Sequence, residues 1–231
     1  MTHSDHRAPP RPALLNPFAL IDSCHAASVN RNVVTIEESW ERYLKSLERR
    51  FRKELGRSWR VFLGHDGAAF ERIVDADTAA HVLAELERQQ ADHLRERGAD
   101  YILDRPEVAA FYRKLLADGL ADGSVILTAL MHDTNVVAAL LGIARGDTYV
   151  MVRISTGSKE WSNCSPGRLV IVRTMQMLHA QGFRHFDFSI GNYAYKRRLG
   201  VEPEPLRDLV TALSPYGLPL QFWDRARHFI R

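Results

Sequence analysis

The chain has 231 residues, 45% of them hydrophobic and 26% charged, with a formal net charge of +3. That composition belongs to one sizeable folded domain or two small ones, and it excludes a wholly disordered or collagen-like chain. Residues 136–144 form the longest largely apolar stretch, far short of the roughly 20 residues a membrane-spanning helix needs, and residues 1–12 lack the basic start and apolar run of a signal peptide, so the expected location is the cytoplasm.

Residues 1–32 carry Pro9, Pro10, Pro12 and Pro17 and show no periodicity. They read as a proline-rich, poorly ordered N-terminal segment, followed by a single domain over 33–231. From Trp40 an apolar stripe appears: Trp40, Tyr43, Leu44, Leu47, Phe51 and Leu55 recur at helical spacing. The same helix is strongly basic over 41–60, with Glu41, Glu48 and Glu54 interspersed. Its outer face is either solvated or a landing strip for an anionic surface. Residues 59–64 read as a short strand closed by the turn His65-Asp66-Gly67.

A second helix is expected from Asp77 or Thr78 to about residue 97, with Gly98 as its stop, and a third from Pro106 to near Gly119. Three short apolar strands follow, over 124–131, 135–144 and 148–155, separated by His132-Asp133-Thr134 and Arg145-Gly146-Asp147. This predicts an antiparallel meander. A polar loop over 156–165 leads to a helix over 166–181 ended by Gly182, then a strand over 183–190. A strand reached through a helix suggests a parallel neighbour. A short helix over 193–199, a strand over 206–214 and a helix over 219–231 complete the chain.

Chemistry can sit at two places. The turn Asn163-Cys164-Ser165-Pro166-Gly167-Arg168 opens the long helix. A helix N-terminus attracts phosphate, Gly167 permits close approach and Arg168 adds a full charge. An ordinary Ser-Pro cap explains the same residues. The second place is the strand holding His185 and Asp187 and the turn Gly191-Asn192 that leads to Tyr193, Tyr195 and Lys196. A tyrosine can protonate a leaving thiolate and a lysine can polarise a carbonyl. Asp187 among aromatic residues needs partners, so a structural acceptor role competes with catalysis. Two cysteines, Cys24 and Cys164, make no disulfide framework, and the ten histidines show no metal-ligand spacing, so no metal is expected.

Ser165-Pro166-Gly167, the helix after it, Phe186-Asp187-Phe188, Gly191 and Tyr195-Lys196-Arg197-Arg198 resemble the GNAT-like acyltransferases of the CelD group, found around cellulose and exopolysaccharide biosynthesis and related in fold to the FemABX aminoacyltransferases. Ser39-Trp40-Glu41-Arg42-Tyr43-Leu44 and Phe111-Tyr112-Arg113 extend the likeness over about residues 33–200. The resemblance implies an α/β fold with a mixed, mostly antiparallel sheet flanked by helices. It implies acetyl-CoA or another acyl-CoA as co-substrate, with the pyrophosphate on Ser165, Gly167, Arg168 and Leu169 and the pantetheine along Val152 and Ile154. Tyr195 then stands as general acid on the short helix, with Lys196 on the rim and Asp187 in support. The departures are the Ser-Pro-Gly turn, in place of the usual Q/R-x-x-G-x-G/A loop, and a shorter N-terminal part.

The expected activity is acyl transfer to a sugar, amine or cell-surface polysaccharide precursor. A Fem-type transferase using aminoacyl-tRNA, with the basic helix facing tRNA, is the enzymatic alternative. A non-catalytic scaffold is the other.

Overall fold

The computed structural model describes residues 24–96, 98, 105–191 and 194–229. Strand β1 (Cys24–Thr35) leads to helices α1 (Trp40–Ser46) and α2 (Arg49–Leu63), strand β2 (Ala68–Ile73), and helices α3 (Ala76–Arg95) and α4 (Pro106–Leu120). The meander is β3 (Val125–His132), β4 (Asn135–Arg145) and β5 (Thr148–Thr156). A 3-10 turn at Lys159–Cys164 precedes α5 (Pro166–Ala180) and β6 (His185–Ile190). Then come α6 (Ala194–Arg198), β7 (Glu202–Leu209) and α7 (Leu218–Phe229).

Chain contacts divide the protein into two units. The larger spans Arg31–Pro203; the other holds the described residues up to Asn30 and those from Glu204 onward. The second unit holds the first part of β1, most of β7, and α7, whose Leu220, Phe222 and Trp223 are exposed.

The seven strands run in the order β2-β3-β4-β5-β6-β1-β7. Strands β2 to β5 pair antiparallel, β5 and β6 pair parallel, and β6 pairs antiparallel with β1. The fold is thus the mixed, mostly antiparallel sheet with helices that the sequence implied. In the larger unit the sheet carries two apolar clusters. One joins α1, α2 and α5 through Trp40, Phe51, Phe62, Leu169 and Met175 to Ile126, Leu140 and Phe186. The other joins α3 and α4 through Leu83, Leu86 and Leu116 to Leu127, Ala129 and Leu141. Burying side chains of this size stabilises by roughly 1.5–3 kcal/mol each.

Four expectations are corrected. Residues 59–63 are helical, because Phe51, Leu55, Ser58 and Phe62 continue one buried face along α2. The basic helix breaks at Leu47, whose extended backbone ends α1 and whose carbonyl accepts from Arg52 Nη1 (2.6 Å). Of the segment expected to be poorly ordered, residues 1–23 lie outside the described residues, while residues 24–32 belong to strand β1, held through its Val33 and Val34 pairing with Asp187 and Phe186. The strand expected over 206–214 instead runs Glu202–Leu209. Smaller shifts set the start of α3 at its cap Asp75, whose carboxylate accepts the Thr78 amide (2.8 Å).

Candidate active site

The sheet opens between β5 and β6. Their parallel ladder holds only Thr148↔His185, Tyr149↔Phe186 and Val150↔Asp187, while β5 runs on to Thr156 and β6 to Ile190. Past Val150 the two strands part. At the same level the β4–β5 register slips: Leu141 faces Arg153 and Gly142 faces Met151, so Val152 is the extra residue of a bulge. Such a residue is left out of the ladder. Further along, the Gly157 amide donates to Val137 O (2.8 Å). Antiparallel bonding alternates, so Ile154 turns its amide away from β4, toward the opening. Its carbonyl accepts from Gln90 Nε2 of α3 (2.8 Å). Val152 and Ile154 both lie on β5 beyond its last pair with β6.

The N-terminus of α5 stands at the far end of that edge. Pro166 occupies the first turn and brings no N–H. Ser165 is left-handed (φ 51°), a conformation that costs a residue with a side chain about 1–2 kcal/mol. It does not cap the helix with its side chain. Instead Ser165 Oγ accepts from Arg168 Nη2 (2.6 Å). The amides of Arg168 and Leu169 bond back to Ser165 O, at 3.0 and 3.2 Å. Among the described residues the Gly167 amide has no acceptor, which leaves it for a ligand. A Cβ on Gly167 would stand 3.0 Å from Thr156 Cγ2, so the glycine is what keeps helix and strand end this close. Leu169 is buried at 1% exposure; its side chain packs in the core and only its backbone faces the turn.

A cavity of about 580 Å³ opens here, lined by Thr156 to Lys159, Ser165 to Arg168, and Arg88, Gln89, Asp92 and His93 of α3. Trp161, wedged edge-on against His65 (4.7 Å) and His132 (5.2 Å), anchors the loop that forms its rim. Cys164 is buried below, its Sγ donating to Trp161 O (3.1 Å), and burial pushes its thiol pKa up. It is no poised nucleophile.

Glu54 of α2 ties this end together. Its Oε2 accepts from Arg168 Nη1 (3.2 Å) and Arg198 Nη2 (2.8 Å), and Arg50 pairs with its Oε1 (3.3 Å). The Arg198 hydrogen bond, aided by Arg168, holds the Glu54 pKa below its ordinary value. One carboxylate thus joins α2, the start of α5 and α6. Sequence reasoning passed over Glu54 as one acid diluting a basic face; its spacing from the basic residues carried no sign of partners over 100 residues away.

At the end of β6 the expectations divide. Asp187 is 8% exposed and accepts from Arg31 Nε (2.7 Å) and from the Ser189 amide (2.7 Å). Lys196, expected on a rim, is 2% exposed. Its Nζ donates to the carbonyls of Phe188 (2.8 Å) and Ile190 (2.8 Å), with Ser189 O at 3.4 Å. Desolvation lowers the Lys196 pKa, partly offset by Asp187. Asn32 Nδ2 adds bonds to Ser189 O (2.8 Å) and Gly191 O (3.1 Å). These side chains clamp a turn in which Ser189 is left-handed (φ 60°). Tyr195 is half-buried and packs on the α5-side cluster. His185 lies at the other end of β6, beside Thr35 and Asp147, away from the opening. Asn192 and Tyr193 lie outside the described residues.

The sequence pattern of the "Acetyltransferase (GNAT) domain" family matches residues 49–197. Among solved structures, FemX aligns with a TM-score of 0.61 at 12% identity, covering 88% of this chain and 65% of its own. The C-terminal DUF2156 domain of a putative lysylphosphatidylglycerol synthetase from Agrobacterium fabrum aligns with a TM-score of 0.52 at 16% identity, covering 85% of this chain and 63% of its own. L-PGS from Bacillus licheniformis aligns with a TM-score of 0.51 at 11% identity, covering 86% and 65%. The chain spans about two thirds of the length of these structures, and the likeness is one of fold. No curated protein sequence matches it. Among the described residues no helix is long and apolar enough to cross a membrane.

Proposed function

The chain belongs to the acetyltransferase (GNAT) domain family, and from that premise we propose that it is an acyl-CoA-dependent N- or O-acyltransferase whose donor site is the gap between β5 and β6. The observation that carries this reading is the early end of the β5–β6 ladder, after Val150↔Asp187, on a strand that leads straight to the N-terminus of α5. The donor's pyrophosphate would sit against the Gly167 amide and Arg168, where helix dipole and guanidinium both favour an anion. Its pantetheine arm would pair with the open edge of β5 through Ile154, past Val152.

The acceptor nucleophile would attack the thioester carbonyl directly. Backbone amides beside the bulge would stabilise the charge developing on the carbonyl oxygen, an effect of about 3 kcal/mol per donor. Tyr195 would protonate the departing thiolate, worth about 10² to 10⁴ in rate. Lys196 and Asp187 would act as positioning residues, because their polar atoms are engaged in holding the turn from which α6 and Tyr195 depart. The acceptor would be a sugar, an amine or a cell-surface polysaccharide precursor, a choice supported by the likeness of residues 33–200 to the CelD group, and the enzyme would work in the cytoplasm.

The test is a calorimetric titration with CoA. Wild type binds it; Gly167→Val, whose side chain would meet Thr156, weakens binding by at least about tenfold (about 1.4 kcal/mol). Unchanged affinity in a folded variant removes the pyrophosphate from this turn.

A second reading draws on α2. Arg49, Lys53 and Arg57 are exposed and follow one another a turn apart, while Glu54 is turned to Arg168 and Arg198. Like charges at i and i+4 repel by a few tenths of a kcal/mol, which an anionic partner such as tRNA would relieve. An aminoacyl-tRNA-dependent transferase would bind RNA with a steep salt dependence. A scaffold without catalysis would bind neither RNA nor CoA.

A further inference from the structure

Helix α7 carries its apolar side outward. At about 3.6 residues per turn, Leu218, Phe222, Ala226, Pro219 and Trp223 share one broad side of the helix, and Leu220 extends it. Gln221 stands opposite the middle of that side. Its Nε2 donates to Val210 O (3.3 Å), so the polar side is the one turned back to the chain. Leu220 and Phe222 are 63% and 65% exposed, and Leu218, Trp223 and Ala226 are exposed as well. Leu213 and Tyr216, just before the helix, are almost fully exposed. An amphipathic helix in a folded domain ordinarily does the reverse and buries its apolar face.

We propose that α7 and the turn before it dock on an anionic lipid surface, the helix lying flat with its apolar side in the boundary between headgroups and acyl chains. The proposal is independent of the reading of the β5–β6 gap as the donor site.

Length and composition fit a helix that lies on a bilayer. Its 12 residues span roughly 18 Å, well short of a hydrocarbon core of about 30 Å, so it does not cross. Residues 218–231 carry three arginines, Arg225, Arg227 and Arg231, and one acid, Asp224. That excess draws the segment to anionic headgroups, and each basic residue near such a surface adds to binding. Tyr216 and Trp223 have rings with one polar end, the type that settles where water meets hydrocarbon.

The same features disfavour a protein partner. A groove reads a narrow stripe at helical spacing, whereas this apolar side reaches from Leu218 round to Leu220. A second copy of this chain would bring a second excess of arginine to the contact, and like charges facing each other are costly. A bilayer needs no complementary shape and supplies the opposite charge.

The test is co-sedimentation of the full chain with two kinds of vesicle: phosphatidylcholine alone, and phosphatidylcholine with phosphatidylglycerol in equal parts. Wild type should bind the mixed vesicles at least about tenfold more tightly than the neutral ones, and added salt should narrow the difference. Leu220→Ser with Phe222→Ser should weaken binding to mixed vesicles by at least about tenfold and leave the urea midpoint in place, because both side chains are exposed in the free protein. Should the double variant fail to fold by circular dichroism, Phe222→Gln takes its place, with a weakening of at least about threefold expected. Wild type that does not bind mixed vesicles overturns the proposal, as does equal binding to both compositions or a folded variant that binds as well as wild type. Sedimentation velocity decides the alternative: a wild-type dimer that the double substitution dissociates, with no vesicle binding, gives this face to a second copy and overturns the lipid assignment.

Discussion

Lys196 and Tyr195 are neighbours in sequence with opposite surroundings. A lysine next to an arginine pair reads as a solvated group, and long charged side chains are rarely buried. Here the ammonium is the hub of a turn, with the Phe188 and Ile190 carbonyls at 2.8 Å and Ser189 held left-handed between them. Nothing local in the sequence announces that convergence, because it depends on α6 folding back over β6. Replacing the ammonium strands buried carbonyls, so Lys196→Met should cost about 3 kcal/mol in urea unfolding. A loss under about 1 kcal/mol would show the clamp to be dispensable. Tyr195→Phe removes one hydroxyl from a half-buried ring. It should leave stability and CoA affinity in place while lowering kcat by about 10² to 10⁴ with a working acceptor. Full turnover in that variant returns Tyr195 to a packing role.

At the scale of elements, the sequence was readable where the signal is local and misleading where a distant partner decides. The meander emerged from apolar runs separated by tight turns at Asp133 and Gly146, both with positive φ. Residues 59–63 carry Trp, Val, Phe and Leu and so read as a strand, yet Phe62 lies on the same buried face as Phe51 and Leu55, and packing overrode propensity. Strand β1 carries Asn and Arg among its valines and shows no strand pattern of its own, since its partner β6 lies about 150 residues away. The Ser-Pro-Gly turn was legible as a helix start; the gap beside it was not, because the end of a ladder is a property of two strands. Glu54 shows the same limit at one residue, and its role can be read from pH. Its folded pKa lies below the ordinary value, so the unfolded chain binds the proton more tightly. Stability from Glu54 is therefore fully present above the unfolded value near 4.5 and is lost as pH falls through the folded one. Between pH 5 and pH 3, Glu54→Gln should show a shallower fall in stability than wild type, measured by urea midpoints. Parallel curves would mean the three arginines do not depend on that charge.

At the scale of the whole molecule, the sheet of the larger unit separates two apolar clusters, and the cradle helix α5 belongs to one of them while α3 belongs to the other. The buried Thr128 and Thr174 hydroxyls, 2.6 Å apart, fix α5 to β3 within the first. The cavity at Gly167 is lined from both sides of this arrangement, by the start of α5 and by Gln89 and Asp92 of α3. A ligand there would bridge elements that meet only in the folded chain, since Gln89 of α3 is far in sequence from Thr156 and Gly167. Binding to the folded state alone stabilises it by about 2.7 kcal/mol at a ligand concentration 100 times the dissociation constant. For a chain of this size each kcal/mol moves the melting temperature by roughly 2–4 °C. CoA at that concentration should therefore raise Tm by roughly 5–11 °C in wild type. The same concentration should shift Gly167→Val by at most about half as much, since a site tenfold weaker gains only about 1.4 kcal/mol there. Raising the ionic strength should shrink the wild-type shift by screening the Arg168–pyrophosphate attraction. A wild-type Tm that stays put at saturating CoA would mean that the gap between β5 and β6 holds no donor, whatever its shape.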